Sequence, residues 1–456
     1  MPAHAQNRIG TGRVDQVFKQ HCAVCHGQSM EGGIGGSLLE GDWARIGKDR
    51  TFLDYVKRGD PDMGMPAFEA TLSDKEIRAL EVYIDEAIQR HERAATPLGK
   101  ERDGVYEAGG YRFRVETVVD GLSTPWAIEF LPRGGFLVTE RPGGLRVFRD
   151  GRLSEPVEAT PKVWARGQGG LLDVTLDPDY RRNAWVYLAY SHEARDPGAG
   201  GRGMTKVVRG RIIDHQWMDQ QVIFEAPSQY HSGSGAHFGT RIIFQDGYLF
   251  FAIGDRGAMH EAQDLSRPNG KVHRIFPDGR VPEDNPFADE SDAYPTIWTY
   301  GNRNIQGMAI DPATGRIWAA EHGPRGGDEV NLIEPGLNYG WPVVTHGINY
   351  NGTPITAQTS HPDMEDPKLH WTPSIAVCGI TFYQGDRFPG WKGNLFAGGL
   401  ASQELHRLVI DDTEVVSSEI VLKGIGRIRD VATGPDGAIY LVLNGPDRVV
   451  RLVPEE

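Results

Sequence analysis

Apolar residues recur along the chain in two rhythms, and the change of rhythm divides it. Near the N-terminus, TGRVDQVFKQHC carries them at helical spacing. Further on, TLSDKEIRALEVYIDEAIQR opens with Ser73 as an N-cap and Glu76 three residues later, a capping box. Ile77, Leu80, Tyr83, Ile84 and Ala87 then form one apolar stripe, which predicts an amphipathic helix. From about Tyr111 the helical stripes stop. A unit recurs instead: a Gly-containing turn, an apolar strand, a polar stretch, and a second strand rich in Val, Ile and Arg. Six copies run from GGFLVTERPGGLRVFRDGR to GAIYLVLNGPDRVVRLVPE. A period of roughly 40–50 residues marks a propeller. Each unit makes one antiparallel sheet of about four strands, which cannot bury both faces alone. The expected fold is therefore an all-β six-bladed β-propeller with a small all-α domain at the N-terminus. A β-sandwich is the rival, but sandwiches do not repeat in this way. The polar, Gly- and Pro-containing HERAATPLGKERDGVYEAGG reads as a linker. The boundaries are a helical domain at 1–94, a linker at 95–110 and a propeller at 111–456.

A length of 456 residues is comfortable for two domains, and 58 Gly with 29 Pro suits many strands and turns. The net charge of −14 argues against general nucleic-acid binding, and no apolar run is long enough to span a bilayer. Cys22, Cys25 and Cys378 are an odd number, so no disulfide framework is indicated. Cys378, in PSIAVCGITFY, reads as a buried small residue and not a nucleophile. The opening MPAHAQ looks like the small-residue end of a removed signal peptide with a Met added, which predicts export.

HCAVCHG contains Cys-x-x-Cys-His, the attachment signature of c-type haem. Cys22 and Cys25 would bond the haem vinyl groups and His26 would supply one axial ligand. A zinc site would need two more ligands nearby, and no second C-x-x-C exists. RGDPDMGMPAF supplies Met65 as the second axial ligand, with Met63 as the spare; a thioether opposite His raises the haem potential. Helix, C-x-x-C-H, Gly-rich loop, Met-Pro loop and amphipathic helix together resemble a class I cytochrome c over roughly residues 10–92. Such a domain acquires haem outside the cytoplasm, which supports export to the periplasm.

In the repeat region, several polar Gly-rich stretches follow apolar strands, where propeller function sits. They carry Gln168, His237, Asp255 with Arg256, Arg303 with Asn304, the group Glu321, His322, Asp328 and Glu329, and Arg427, Arg429 and Asp430. Arginines so placed are costly without an anion. Arg303, Arg427 and Arg429 fit a bound polyanion at the channel mouth, or else an Arg–Asp lattice between blades. HGPRGGDEVNLIEPGLNYGWP offers carbonyl and carboxylate oxygens to a hard cation such as Ca²⁺, or is a solvated acidic turn. His237, at a strand entrance, is a candidate general base, with His231 as rival.

PWAIEFLP, TERPGGLRV, QGGLLDVTLDP, IGDRG, YGNRNIQG, EHGPRGGDEVNLI, NYGWP and RIRDV resemble the soluble quinoprotein aldose sugar dehydrogenases of the glucose/sorbosone dehydrogenase family. The resemblance covers nearly all of 111–456. It implies a propeller holding pyrroloquinoline quinone (PQQ) and calcium that oxidises the C1 hydroxyl of an aldose to a lactone. His237 matches the general base. Gln168, Arg303, Asn304, Arg427 and Arg429 match PQQ contacts. The carbonyls of Gly323 and Pro324 match ligands of the calcium that holds PQQ; Glu329 and Tyr339 match a structural calcium site. Ala401 stands where the glucose dehydrogenases place a Lys on the cofactor, which weakens any expectation of glucose specificity. The fused haem c would drain the reduced quinone and pass electrons to an external acceptor, at the high effective concentration that fusion gives. A non-catalytic binding propeller with an electron-transfer domain, and a calcium-dependent lactonase, are the alternatives.

Overall fold

The computed structural model describes residues 13–39, 51–95, 104–194 and 200–455. The signal-peptide remnant and residues 96–103 of the expected linker lie outside the described residues.

Among the described residues, the N-terminal part has four α-helices: α1 (Val14–His21), α2 (Ala23–His26), α3 (Phe52–Arg58) and α4 (Asp74–Ala95). The capping box starts α4: the Ser73 hydroxyl accepts from the Glu76 N–H at 3.3 Å, and the Glu76 carboxylate accepts from the Ser73 N–H at 3.0 Å. The α4 stripe packs Ile77, Leu80 and Ile84 against Val14, Val17 and Phe18 of α1.

The rest is six antiparallel sheets in sequence order. The first strand of each blade is Pro125–Phe130, Leu171–Leu176, Ile242–Gln245, Ile305–Ile310, Val377–Phe382 and Arg427–Thr433. Each of these touches the next around the channel, and the last touches the first. Six apolar clusters fill the gaps between neighbouring blades, so each sheet buries both faces. Together these would give far more buried apolar area than one sheet can gain alone.

The ring closes by mixing chain ends. Tyr111–Val119 pairs with the C-terminal strand Arg448–Pro454, and Val105–Ala108 pairs with Tyr111–Val119. The sixth sheet therefore has five strands, and residues 105–108 belong to it and not to a linker. Val105 and Tyr106 are buried by that pairing, which a four-residue run beside glycines does not announce.

Candidate active site at the channel mouth

The loop before Ile242–Gln245 holds His237 in the left-handed region, φ 54°. Arg256 pins that loop. It is fully buried, donates to the carbonyls of Ala236 and Ser234 (2.6 Å for Ser234), and lies 3.5 Å over the Phe238 ring. Gln168, arriving from between the first two blades, accepts the His237 backbone N–H at 2.8 Å. The His237 Nδ1 meets Asp255 Oδ1 at 2.6 Å. Asp255 is itself fixed: Oδ1 accepts from the Gly257 N–H at 2.7 Å and Oδ2 from Trp341 Nε1–H at 2.8 Å. Burial pushes the Asp255 carboxyl up, but the His237 hydrogen bond and the His237 and Arg303 charges hold it below the usual range. It is therefore the anion of the pair, and Nδ1 carries the proton. Burial, reinforced by Arg303 and opposed by Asp255, holds the His237 imidazole below its ordinary range. The ring is neutral at pH 7, with Nε2 as its free basic nitrogen. His231 does not compete: its Nε2 meets the Ala226 carbonyl at 3.1 Å and its ring faces His192.

Arg303, Arg427 and Arg429 make no ion pair with a carboxylate among the described residues. Arg303 Nη1 donates to the carbonyls of His322 (2.8 Å) and Gly323 (2.6 Å). Arg429 Nη1 has only long contacts, 3.4 Å each, to Gln306 Oε1 and Cys378 Sγ. Cys378 is fully buried, as its strand pattern predicts. Arg427 is held below its ordinary range by partial burial and by repulsion from Arg429. The buried Nε atoms of Arg303 and Arg429, and Nε2 of His322, lack any hydrogen-bond partner among the described residues. The lattice reading applies to another arginine: Asp430 pairs with Arg241 (3.1 Å), which also pairs with Asp173 (2.9 Å) across the channel. A cationic pocket with orphaned donors fits an anionic ligand. Asn304 plays a supporting part, its Oδ1 accepting the Gly239 N–H at 3.1 Å.

The turn 323–327 is closed too tightly for a side chain at Gly323, whose Cβ would stand 2.0 Å from the Gly327 carbonyl. Its carbonyl receives Arg303, and the Pro324 carbonyl receives Ser374 Oγ at 3.1 Å. Behind it, burial and the neighbouring Glu321 charge lift the Glu329 carboxyl to about 8. The Tyr339 hydroxyl is committed to the Leu332 carbonyl (2.5 Å) and the Glu334 N–H (2.9 Å). No group of three or more His, Cys, Asp or Glu stands ready for a metal among the described residues.

In the helical part, Cys22 and Cys25 are free thiols, and burial with Cys25 nearby pushes Cys22 to about 11. His26 Nδ1 meets the Gly36 carbonyl at 2.8 Å, which orients the ring and leaves Nε2 for a metal. Met65 packs with Cys22 against the helical core, whereas Met63 is 77% exposed. That contrast favours Met65 as the second axial ligand.

The sequence named Asp255 and Arg256 without giving them roles, and missed Trp341, Gln306 and the pocket-facing side of His322. Their signals were a Trp and a Gln in stretches already marked as polar; only the fold brings Trp341 to Asp255 and Gln306 to Arg429.

The glucose/sorbosone dehydrogenase family model matches residues 122–451, and the model of subunit III of cbb3-type cytochrome c oxidase matches 11–84. An aldose sugar dehydrogenase of Escherichia coli is 43% identical over 336 residues, 72% of this chain and 89% of that one. The crystal structure of the soluble aldose sugar dehydrogenase from Escherichia coli in the apo-form superposes with a TM-score of 0.70 at 39% identity, over 75% of this chain and all of that one. The PQQ-bound form of an aldose sugar dehydrogenase from Streptomyces coelicolor superposes with a TM-score of 0.60 at 27% identity, over 75% of this chain and 98% of that one.

Proposed function

The chain belongs to the glucose/sorbosone dehydrogenase family and carries a cytochrome c domain, and from that premise we propose that it is a quinohaemoprotein oxidising the C1 hydroxyl of aldoses to lactones. The observation that carries the proposal is the neutral His237, oriented by buried Asp255, beside Arg303 and Arg429, whose buried Nε atoms lack hydrogen-bond partners among the described residues.

The pocket's donor set fits the three carboxylates of PQQ, with Arg303, Arg427 and Arg429 as their holders, Gln168 bracing the His237 backbone and buried Asn304 bracing Gly239. When bound, PQQ supplies the two-electron acceptor. His237 takes the C1 hydroxyl proton at Nε2. Asp255 stabilises the imidazolium that results, and Trp341 and Gly257 keep Asp255 in place. The proton is then released from Nε2. Oxidation to the lactone releases two electrons and two protons per sugar, so a one-electron acceptor must turn over twice.

Cys22, Cys25, His26 and Met65 have the donor chemistry for haem c. The haem supplies a one-electron relay to an external acceptor. The reading includes export to the periplasm, where c-type haem is attached, and a propeller domain that begins at Val105. No helix among the described residues is long and apolar enough to cross a membrane. Glu329 has the chemistry of a hard-cation ligand. The Gly323 and Pro324 carbonyls share it, each accepting one protein donor, Arg303 and Ser374, and keeping a second lone pair. The proposed chemistry assigns no step to calcium.

The test is haem absorbance in the purified protein, mixed with an aldose panel with and without PQQ. Reduction that needs both supports the reading. Hydrolysis of a lactone without haem reduction would replace it with the esterase alternative.

A further inference from the structure

One stripe of α4 that carries polar residues is not solvated. Val82, Glu86, Gln89 and Arg93 fall at i, i+4, i+7 and i+11, one stripe of a helix. All four meet the propeller. Val82 packs where a side chain at Gly326 would stand 3.1 Å from its Cγ1. Gln89 borders the cleft that Trp371 and His406 share. Arg93 approaches Glu404 at 3.9 Å. At the centre, the Glu86 carboxylate, only 3% exposed, takes three hydrogen bonds from Arg325, at 2.7, 3.0 and 3.1 Å.

Arg325 sits in the turn whose Gly323 carbonyl faces Arg303 in the cationic pocket. Its backbone pairs with Ile348, which is buried in the core of the helical domain, and the Val14 N–H donates to the Gly352 carbonyl at 2.9 Å. Its guanidinium lies 5.6 Å from the Tyr83 ring centroid; Tyr83 lies 5.7 Å from Phe18, whose carbonyl accepts the Cys22 N–H at 2.8 Å. A continuous set of contacts thus joins the pocket turn to the first haem-attachment cysteine.

We propose that Glu86 is a positioning residue for electron transfer: by clamping Arg325 it fixes the haem-bearing helices beside the turn that borders the cofactor pocket. This rests on the reading that the haem drains the propeller. The buried carboxylate gives the clamp its hold: Arg325 is its partner on the propeller side, and Arg90, one turn along α4, adds a hydrogen bond at 2.9 Å from the helix itself. The electron balance is that of sugar oxidation itself, one electron at a time to the haem and on to the external acceptor, with no further reactant.

The test compares wild type, Glu86→Gln and Glu86→Ala, each loaded with haem and PQQ. Three readouts are taken: the rate of sugar-driven haem reduction, sugar oxidation with a soluble dye, and small-angle X-ray scattering. The expected result is haem reduction at least tenfold slower in Glu86→Ala, dye-linked oxidation within twofold of wild type, and a larger radius of gyration. Glu86→Gln, which keeps the shape and loses the charge, is expected to fall between. Wild-type rates and scattering in both variants would overturn the clamp while leaving the electron route intact. Absence of haem reduction in the wild type, with dye reduction preserved, would overturn the route and this role with it.

Discussion

Replacing Asp255 by Asn changes one atom of the carboxylate and should disable proton transfer. Asp255 accepts three donors at once: His237 Nδ1–H at 2.6 Å, Gly257 N–H at 2.7 Å and Trp341 Nε1–H at 2.8 Å. Asn has one acceptor oxygen. If it faces Trp341, its amide N–H₂ meets His237 Nδ1 and drives the ring proton to Nε2, the atom that must stay basic. If it faces His237, Trp341 meets a donor in a buried site. In either orientation the imidazolium formed during reaction loses its counter-charge. Two unit charges in contact at an effective dielectric of about 20 attract by on the order of 4 kcal/mol. At about 1.4 kcal/mol per decade that is roughly 10³-fold in rate. The expected outcome is a kcat lower by about 10²–10⁴-fold for Asp255→Asn, with sugar KM little changed. Dye-linked sugar oxidation by PQQ-saturated protein measures it, with circular dichroism as the check on folding. A loss below about tenfold would refute the assignment of His237 and Asp255 as the proton-transfer pair.

The pH profile follows from the same pair. His237 acts as its neutral form and its pKa lies below the ordinary 6.5, so kcat/KM should be flat around pH 7 and fall only as pH drops beneath 6.5; an acid limb centred above 7 would contradict the burial argument. Arg427→Ala and Arg429→Ala should each weaken PQQ affinity roughly 10–150-fold, the worth of a charge-assisted hydrogen bond of about 1.5–3 kcal/mol, read by titrating PQQ against recovered activity. Met65→Ala should lower the haem midpoint potential by a sizeable part of the ~0.8 V that axial ligands span, while Met63→Ala, at an exposed position, should leave it unchanged; redox titration decides between them.

The blades were legible because each apolar strand is bounded by Gly-rich turns, and the period survives variation in loop length. The helical domain was legible through the capping box and the C-x-x-C-H spacing. Strand Val105–Ala108 was not, because its burial comes from pairing with Tyr111–Val119 and not from its own pattern. The docking stripe of α4 was hidden for a related reason: Glu86 and Arg93 look like solvent-facing charges until Arg325 and Glu404 are brought against them. In the site, residue types were readable but pairings were not. Asp430 follows Arg429 in sequence, yet it serves Arg241, more than a blade away along the chain. Likewise, 18 residues separate His237 from the Asp255 that orients it, and 86 separate Asp255 from Trp341.

The central claim is that sugar electrons reach the haem inside one molecule. Stopped-flow haem reduction, after mixing PQQ-loaded protein with a saturating aldose at several protein concentrations, tests it most directly. The account predicts a first-order rate constant that does not change with protein concentration. A rate that rises in proportion to protein concentration would mean that electrons pass between molecules, and would contradict it.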